Sequence, residues 1–411
     1  MTGSLKPHIL PSISACISSS LSEPTSYAQA IKDLRWQRAM SDEYNALIQN
    51  NTWKLVPPPP DANIIGLDYN QTFAPVIKLS TVRLNDDEII VLLIYMDDIV
   101  VFGSSKNLNH QFVSSMHSEF SMKDLGPLRY FLGVELVPNS DGLLLLQCKY
   151  INDILTRFDL AQTKPVLTLL HSKMGWNSVE SQLLDDVSIF RQMVGSLQYL
   201  SFTRLDIQFA VNFASQFLYK PRQIHLQAVK CIFRYLKGTI RNGLQLYARS
   251  PLSLTIYSDS DWAGCTTTRR STSGFYIFLG DNLISWAAKK QHTVARSSTE
   301  AEYRAPATAT VEATWLQFLL RDLVIFLKTP MIAKCDNIGA IYLTHNLVYH
   351  SRSKHVALDY HFIHEKVKQG NLIVSHVHTS QQLADLFTKV LSSTRFQDLL
   401  NNLHVRSSPF D

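Results

Sequence analysis

The stretch "LSLTIYSDSDW", Leu252 to Trp262, decides how this chain is read. Its β-branched and aromatic residues predict a strand that ends on Asp259 and Asp261, and strand alternation puts both carboxylates on one face. The next apolar runs, "GFYIFLGDNLISW" (274–286), predict a hairpin turning at Gly280-Asp281-Asn282. "RSSTEAEYRA" (296–305) opens a helix: Ser297-x-x-Glu300 fits a capping box, with Glu300 at N3 reaching back to the cap. Glu302, two residues on, has no capping duty. A later strand ends at "KCDN" with Asp336, and Asp385 lies in "QQLADLFTK". Strands followed by alternating helices and strands predict a small α/β domain from about Pro251.

Taken singly, each of these acids reads as a solvated strand end or helix face. Taken together they read as a site. Four carboxylates from separate elements repel one another unless cations hold them, and hard oxygen ligands suit Mg²⁺ or Mn²⁺. Two such ions, about 3.5–4 Å apart, are a device for activating water and stabilising a leaving oxygen in phosphodiester cleavage.

A second pair of acids lies upstream in "IIVLLIYMDDIVVFG" (89–103). Asp97 and Asp98 sit between two apolar runs with no glycine or proline to form an ordinary surface turn, which predicts two buried strands flanking the acids. Between the two regions, "MKDLGPLRYFLGVEL" and "GLLLLQCKYINDIL" read as strand and helix around another hairpin. Residues 186–239 show helical apolar stripes.

The bulk numbers bound the function. At 411 residues the chain is long enough for two or three domains. With 45% hydrophobic and 18% charged residues it is globular. The net charge of +5 tolerates a nucleic-acid partner without demanding one. Five scattered cysteines, none in a C-x-x-C, read as reduced intracellular thiols and argue against a zinc module. The expected location is therefore intracellular, cytoplasm or nucleus. The longest apolar run, Ile89 to Met96, is too short for a membrane span, so no membrane partner is expected. Residues 1–21 read as a disordered leader.

"YSDSDWAGCTTTRRSTSGFYIFLGDNLISWAAKKQHTVARSSTEAEYRA", "KCDNIGA", "HSRSKHVALDYHFIHE" and "QQLADLFTK" resemble the ribonuclease H domain of copia-type LTR retrotransposon Pol polyproteins. The resemblance implies a ribonuclease H-like mixed five-stranded sheet with helices over 251–411, cutting the RNA of an RNA–DNA hybrid with two Mg²⁺ or Mn²⁺ ions. It puts the catalytic, metal-holding acids at Asp259, Glu302, Asp336 and Asp385, with Asp261 a weaker substitute for Asp259. His376 falls in register with a mobile histidine that helps product leave. Arg269, Arg270, Lys289, Lys290, Arg296, Arg352 and Lys354 are the candidate nucleic-acid contacts.

The upstream chain resembles the same polyprotein. Residues 22–180 match an internally deleted reverse transcriptase domain with a truncated palm. Its catalytic hairpin is Tyr95, Met96, Asp97 and Asp98. Residues 181–250 match the helical connection to the ribonuclease. In the family, a third polymerase aspartate lies between segments matching "STVRL" and "DEIIVLL", which here join with only Asn85 and Asp86 at the seam. A second stretch, part of the fingers, is missing where Ile65-Gly66 meets Leu67-Asp68. The expected outcome is a lost polymerase and a retained ribonuclease; the alternative is an inert remnant that at most binds nucleic acid. Pro306, where the family carries an apolar helix former, predicts a kink, a less stable domain and a misplaced Glu302.

Overall fold

The computed structural model describes residues 31–49, 78–83, 89–95, 98–120, 122–169, 181–265, 267–345 and 357–407. The expected leader, Arg352 and Lys354 lie outside them. The chain forms two compact units, Met1–Phe131 and Leu132–Asp411.

In the first unit, helix α1 (Leu34–Gln49) precedes a three-stranded antiparallel sheet of β1 (Lys78–Arg83), β2 (Ile89–Tyr95) and β3 (Asp98–Gly103). Tyr95 pairs with Asp98, so the Met96–Asp97 dipeptide joins two registered strands. Ile90, Val91 and Val100 are buried, as the apolar runs demand. Helix α2 (Lys106–Glu119) follows, capped by Ser105, whose hydroxyl accepts from the N–H of Leu108.

The second unit starts with the hairpin β4 (Val134–Pro138) and β5 (Gly142–Leu146) and helix α3 (Cys148–Arg157). Helices α4 (Ser188–Leu200), α5 (Gln208–Ser215) and α6 (Gln223–Gly238) and strand β6 (Asn242–Tyr247) follow, in the span read as the connection. β6 pairs antiparallel with β5. Arg204 anchors the helices from a fully buried position: its guanidinium donates to Asp206 at 2.7 Å and to the Thr239 carbonyl at 2.8 Å, and Tyr235 also donates to Asp206.

The remaining chain adds β7 (Leu254–Asp261), β8 (Thr272–Leu279), β9 (Asn282–Lys290), α7 (Ser298–Asp322), β10 (Met331–Cys335), α8 (Ile338–His345), α9 (Ala357–Lys368) and β11 (Leu372–His376). A four-residue helix α10 (Asp385–Thr388), α11 (Ser393–Asn402) and β12 (Val405–Ser407) follow, the last pairing with β6. The main sheet has the order β9-β8-β7-β10-β11, with β7, β10 and β11 parallel and β8 antiparallel to both neighbours. This is the expected ribonuclease H-like mixed five-stranded sheet. Gly280 makes the β8–β9 turn at φ +61, a conformation that glycine adopts without cost.

β8 shows why the connection and the ribonuclease segment share one unit. Phe275 and Ile277 pack with Tyr303, Ala307 and Val374 on one face of the sheet. Tyr276 and Phe278 belong to the core that includes Phe190, Leu197, Phe233 and Phe387. Alternation thus makes both faces apolar, and connection helices help to cover one of them. Residues 251–411 expressed alone are therefore expected to be poorly soluble and to bind a hydrophobic dye, whereas residues 132–411 stay folded. Dye fluorescence on the two fragments checks this.

Candidate active site

Asp259 lies near the end of β7 and is fully buried. Its neighbour across the sheet is Gly274. A Cβ at that position would meet Phe387 Cβ at 2.7 Å and Thr388 Cγ2 at 3.1 Å. Glycine therefore lets α10 lie against the sheet, which brings Asp385 and the Thr388 hydroxyl to Asp259. Thr388 donates to one Asp259 oxygen. Lys389 Nζ reaches the other at 3.3 Å and Asp385 Oδ1 at 2.5 Å. Arg395 lies 3.5 Å from Asp385 Oδ2.

Glu302 reaches the cluster from α7. The cap divides labour between the glutamates as the sequence predicts, with one difference. Ser297 Oγ accepts from the Glu300 N–H, but Glu300 Oε2 accepts from the N–H of Arg296 at 2.8 Å rather than from that of the cap itself. Its Oε1 pairs with Arg304 at 2.7 Å. Glu300 is thus occupied, whereas Glu302 Oε2 is buried with no hydrogen-bond partner. Ligand atoms of Glu302, Cys335 and Asp336 lie within 4.8 Å of one another. Asp336 follows β10 and accepts from the Thr379 hydroxyl at 3.1 Å.

The carboxylates feel one another. Burial, then the charges of Asp259 and Asp336, push Glu302 up to about 9. Burial also raises Asp259. An orphaned buried carboxylate oxygen among mutually repelling acids is the arrangement that a divalent cation relieves. The hard oxygen donors fit Mg²⁺ or Mn²⁺. Cys335 adds a buried thiol at the edge of the cluster.

Asp261 has a different role. Its Oδ1 accepts from the N–H of Thr272, the residue paired with it across β7 and β8. Burial raises it to about 6, and it closes the end of the hairpin. His376 ends β11 exposed, opposite Cys335, which immediately precedes Asp336. Arg269, Arg270, Lys289 and Arg296 are exposed. Lys290 is engaged, donating to Cys265 Sγ at 2.7 Å and Gln216 Oε1 at 3.2 Å. Burial alone would raise the Cys265 thiol; the Lys290 ammonium and the Thr268 N–H bring it down to about 7. Cys265 is expected to alkylate at neutral pH ahead of Cys335, which burial pushes up to about 12. Lys290→Met is expected to move the pH midpoint of Cys265 alkylation upward. Iodoacetamide labelling followed by mass spectrometry reads both.

Pro306 lies inside helix α7. Helix α7 runs unbroken from Ser298 to Asp322 with Pro306 buried inside it, and Glu302 stays beside Asp336. Packing of the α7 face that carries Tyr303, Ala307 and Ala313 against the sheet holds the helix together, although proline offers no N–H to the Glu302 carbonyl. The local cost remains. Pro306→Ala, which avoids overfilling a buried position, is expected to raise Tm by several degrees, from up to about 3 kcal/mol of relieved helix penalty. Differential scanning calorimetry checks it.

In the first unit, Tyr95 and Asp98 flank the β2–β3 turn, Asp98 being exposed. Met96 and Asp97 lie outside the described residues, as do Asn85, Asp86 and Asp87. β1 and β2 are antiparallel partners, with Arg83 paired to Ile89. Among the described residues of the three strands, Asp98 is the one carboxylate. Ile89 stands about 20 Å along the strand from Tyr95 at roughly 3.3 Å per residue.

The parts played by Thr388, Lys389 and Gly274 escape a reading of the sequence. The one available signal is the i, i+4 spacing of Asp385 and Lys389.

A ribonuclease H-like sheet with acids at its strand ends and on the adjoining helices, in a chain that also carries the sequence Tyr-Met-Asp-Asp, is the pattern of a retroelement chain. A family profile described as "Reverse transcriptase (RNA-dependent DNA polymerase)" matches residues 85–171. The Retrovirus-related Pol polyprotein from transposon RE1 of Arabidopsis thaliana is 36% identical over 530 residues, taking in 99% of this chain and 36% of that protein. An uncharacterized mitochondrial protein of the same plant is 48% identical over 224 residues, 54% of this chain and 93% of that one. Among solved structures, a foamy viral protease-reverse transcriptase in complex with double-stranded DNA aligns with 70% of this chain and 46% of its own at 12% identity and a TM-score of 0.41. The chain belongs to the copia-type LTR retrotransposon Pol polyproteins, and it spans about a third of the length of the Pol relatives it matches. The alignment with the RE1 protein is longer than this 411-residue chain, so that relative carries more than a hundred residues which this chain lacks within the aligned span.

Proposed function

We propose that this chain is a retrotransposon-derived, metal-dependent ribonuclease acting on the RNA of RNA–DNA hybrids, without polymerase activity. The observation that carries the reading is Glu302 Oε2, a buried oxygen with no partner among the described residues, within reach of Asp336 and raised by the charge of Asp259, which shares Lys389 with Asp385. Asp259, Glu302, Asp336 and Asp385 would hold the cations. Two divalent ions there would supply an activated water and stabilise the leaving oxygen. The exposed Arg269, Arg270, Lys289 and Arg296 would meet phosphates, and His376 would assist product release.

The loss of polymerase activity rests on the first unit. A polymerase of this class draws a third carboxylate from an earlier strand, and none stands among the described residues of β1 and β2. The excess length of the RE1 alignment is consistent with residues missing from this chain. Two assays on one preparation test the reading. Primer extension is expected to yield no product, and a labelled hybrid is expected to lose its RNA strand with Mg²⁺. Salt-sensitive hybrid binding without cleavage would instead favour the inert remnant.

A further inference from the structure

The acid cluster is unevenly provided with donors. Both oxygens of Asp259 and both of Asp385 face a protein donor or cation: Thr388 and Lys389 for the first, Lys389 and Arg395 for the second. Asp336 has the Thr379 hydroxyl. Glu302 receives the Ser260 N–H, but its Oε2 has nothing. Among the described residues, one half of the cluster therefore already contains a cation, and the other half lacks one.

Resting on the ribonuclease reading above, we infer that the Lys389 ammonium is the resident cation of the Asp259–Asp385 half, so that a first divalent ion enters at Glu302 and Asp336 and a second enters only by displacing Lys389. Lysine suits this role. Its ammonium is a compact charge with three donors on a flexible stem, and the side chain is 41% exposed while Asp259 is fully buried. The head therefore sits among the carboxylates and the stem has solvent to swing into. In the metal-free protein the ammonium neutralises two acids that would otherwise repel one another. It also sets the order of loading, because the second ion must offset a pair of ionic contacts at 2.5 and 3.3 Å. Lys389 is thus a positioning residue that acts through the carboxylates.

Two measurements test this without an activity readout. Mn²⁺ binding to the full chain, followed by the electron paramagnetic resonance of free Mn²⁺, is expected to give one ion bound at least about tenfold more tightly than the second. Lys389→Met is expected to tighten the second ion about tenfold, and Lys389→Arg, which keeps the charge, to behave as wild type. The companion experiment needs no variant. Amine acylation of the wild-type chain, read by mass spectrometry at Lys389, is expected to accelerate when Mg²⁺ saturates the protein. Unchanged second-ion affinity in Lys389→Met, or Lys389 reactivity unmoved by Mg²⁺ in a protein that takes up Mn²⁺, overturns the role of Lys389 and leaves the nuclease reading standing. A folded wild-type chain that binds no Mn²⁺ overturns both.

Discussion

Asp259→Asn is expected to lower Mg²⁺-dependent cleavage of an RNA–DNA hybrid by at least about a hundredfold while the fold stays intact. The substitution keeps the shape of a buried side chain and its contact with Thr388. It removes the negative charge at the centre of the cluster, where Asp385, Asp336 and Glu302 also act. An electrostatic contribution of this kind is worth about 10²–10³ in rate at other active sites. Asp261→Asn is the informative contrast. That carboxylate accepts from the Thr272 N–H and closes the hairpin, a bond the asparagine Oδ1 can keep, so the change is expected to shift stability by no more than about 1 kcal/mol and the cleavage rate by less than about tenfold. Single-turnover rates and Tm on both variants separate a catalytic from a structural aspartate two residues apart on one strand.

Glu302→Gln is expected to stabilise the metal-free protein, and increasingly so with rising pH. Burial, then Asp259 and Asp336, raises Glu302 from an ordinary 4.5 to about 9 in the folded chain. The folded state therefore holds a proton that the unfolded state releases between those two values. Stability from this group is fully present below about 4.5 and is lost as pH rises toward 9. At about 1.36 kcal/mol per pKa unit the whole window spans several kcal/mol as an order of magnitude. Glutamine removes the dependence, so the Tm difference between variant and wild type should be largest near pH 9 and vanish below the ordinary 4.5. Mg²⁺ should reverse the ranking by stabilising wild type alone. A pH series of melting curves with and without Mg²⁺ reads all of this. The same burial that destabilises the free protein gives an incoming cation its binding energy, the usual conflict between stability and function at a site.

Local properties of this fold are legible in the residues. Ser297 marks the start of α7, Gly280-Asp281-Asn282 the hairpin, and "YSDSDW" a strand ending in acid, because caps, turns and alternation depend on near neighbours. The separation of Glu300 from Glu302 is legible for the same reason. Tertiary relations are not. That Lys389 reaches back to Asp259 depends on where α10 packs, and that packing depends on long-range contacts such as Gly274 against Phe387 and Thr388 and Tyr276 stacked on Phe387. Nothing near Lys290 in sequence shows its partners in the fold, Cys265 and Gln216. Pro306 sits inside a helix whose face packs on the sheet, where propensity is a weak prior beside tertiary contacts.

The fate of a labelled RNA strand hybridised to DNA, incubated with the full chain and Mg²⁺ beside Asp336→Asn, tests the ribonuclease reading most directly. Wild type is expected to cut the RNA and leave the DNA strand whole, and the variant to cut neither. An intact RNA strand after incubation with folded wild-type protein that has taken up metal would contradict that reading.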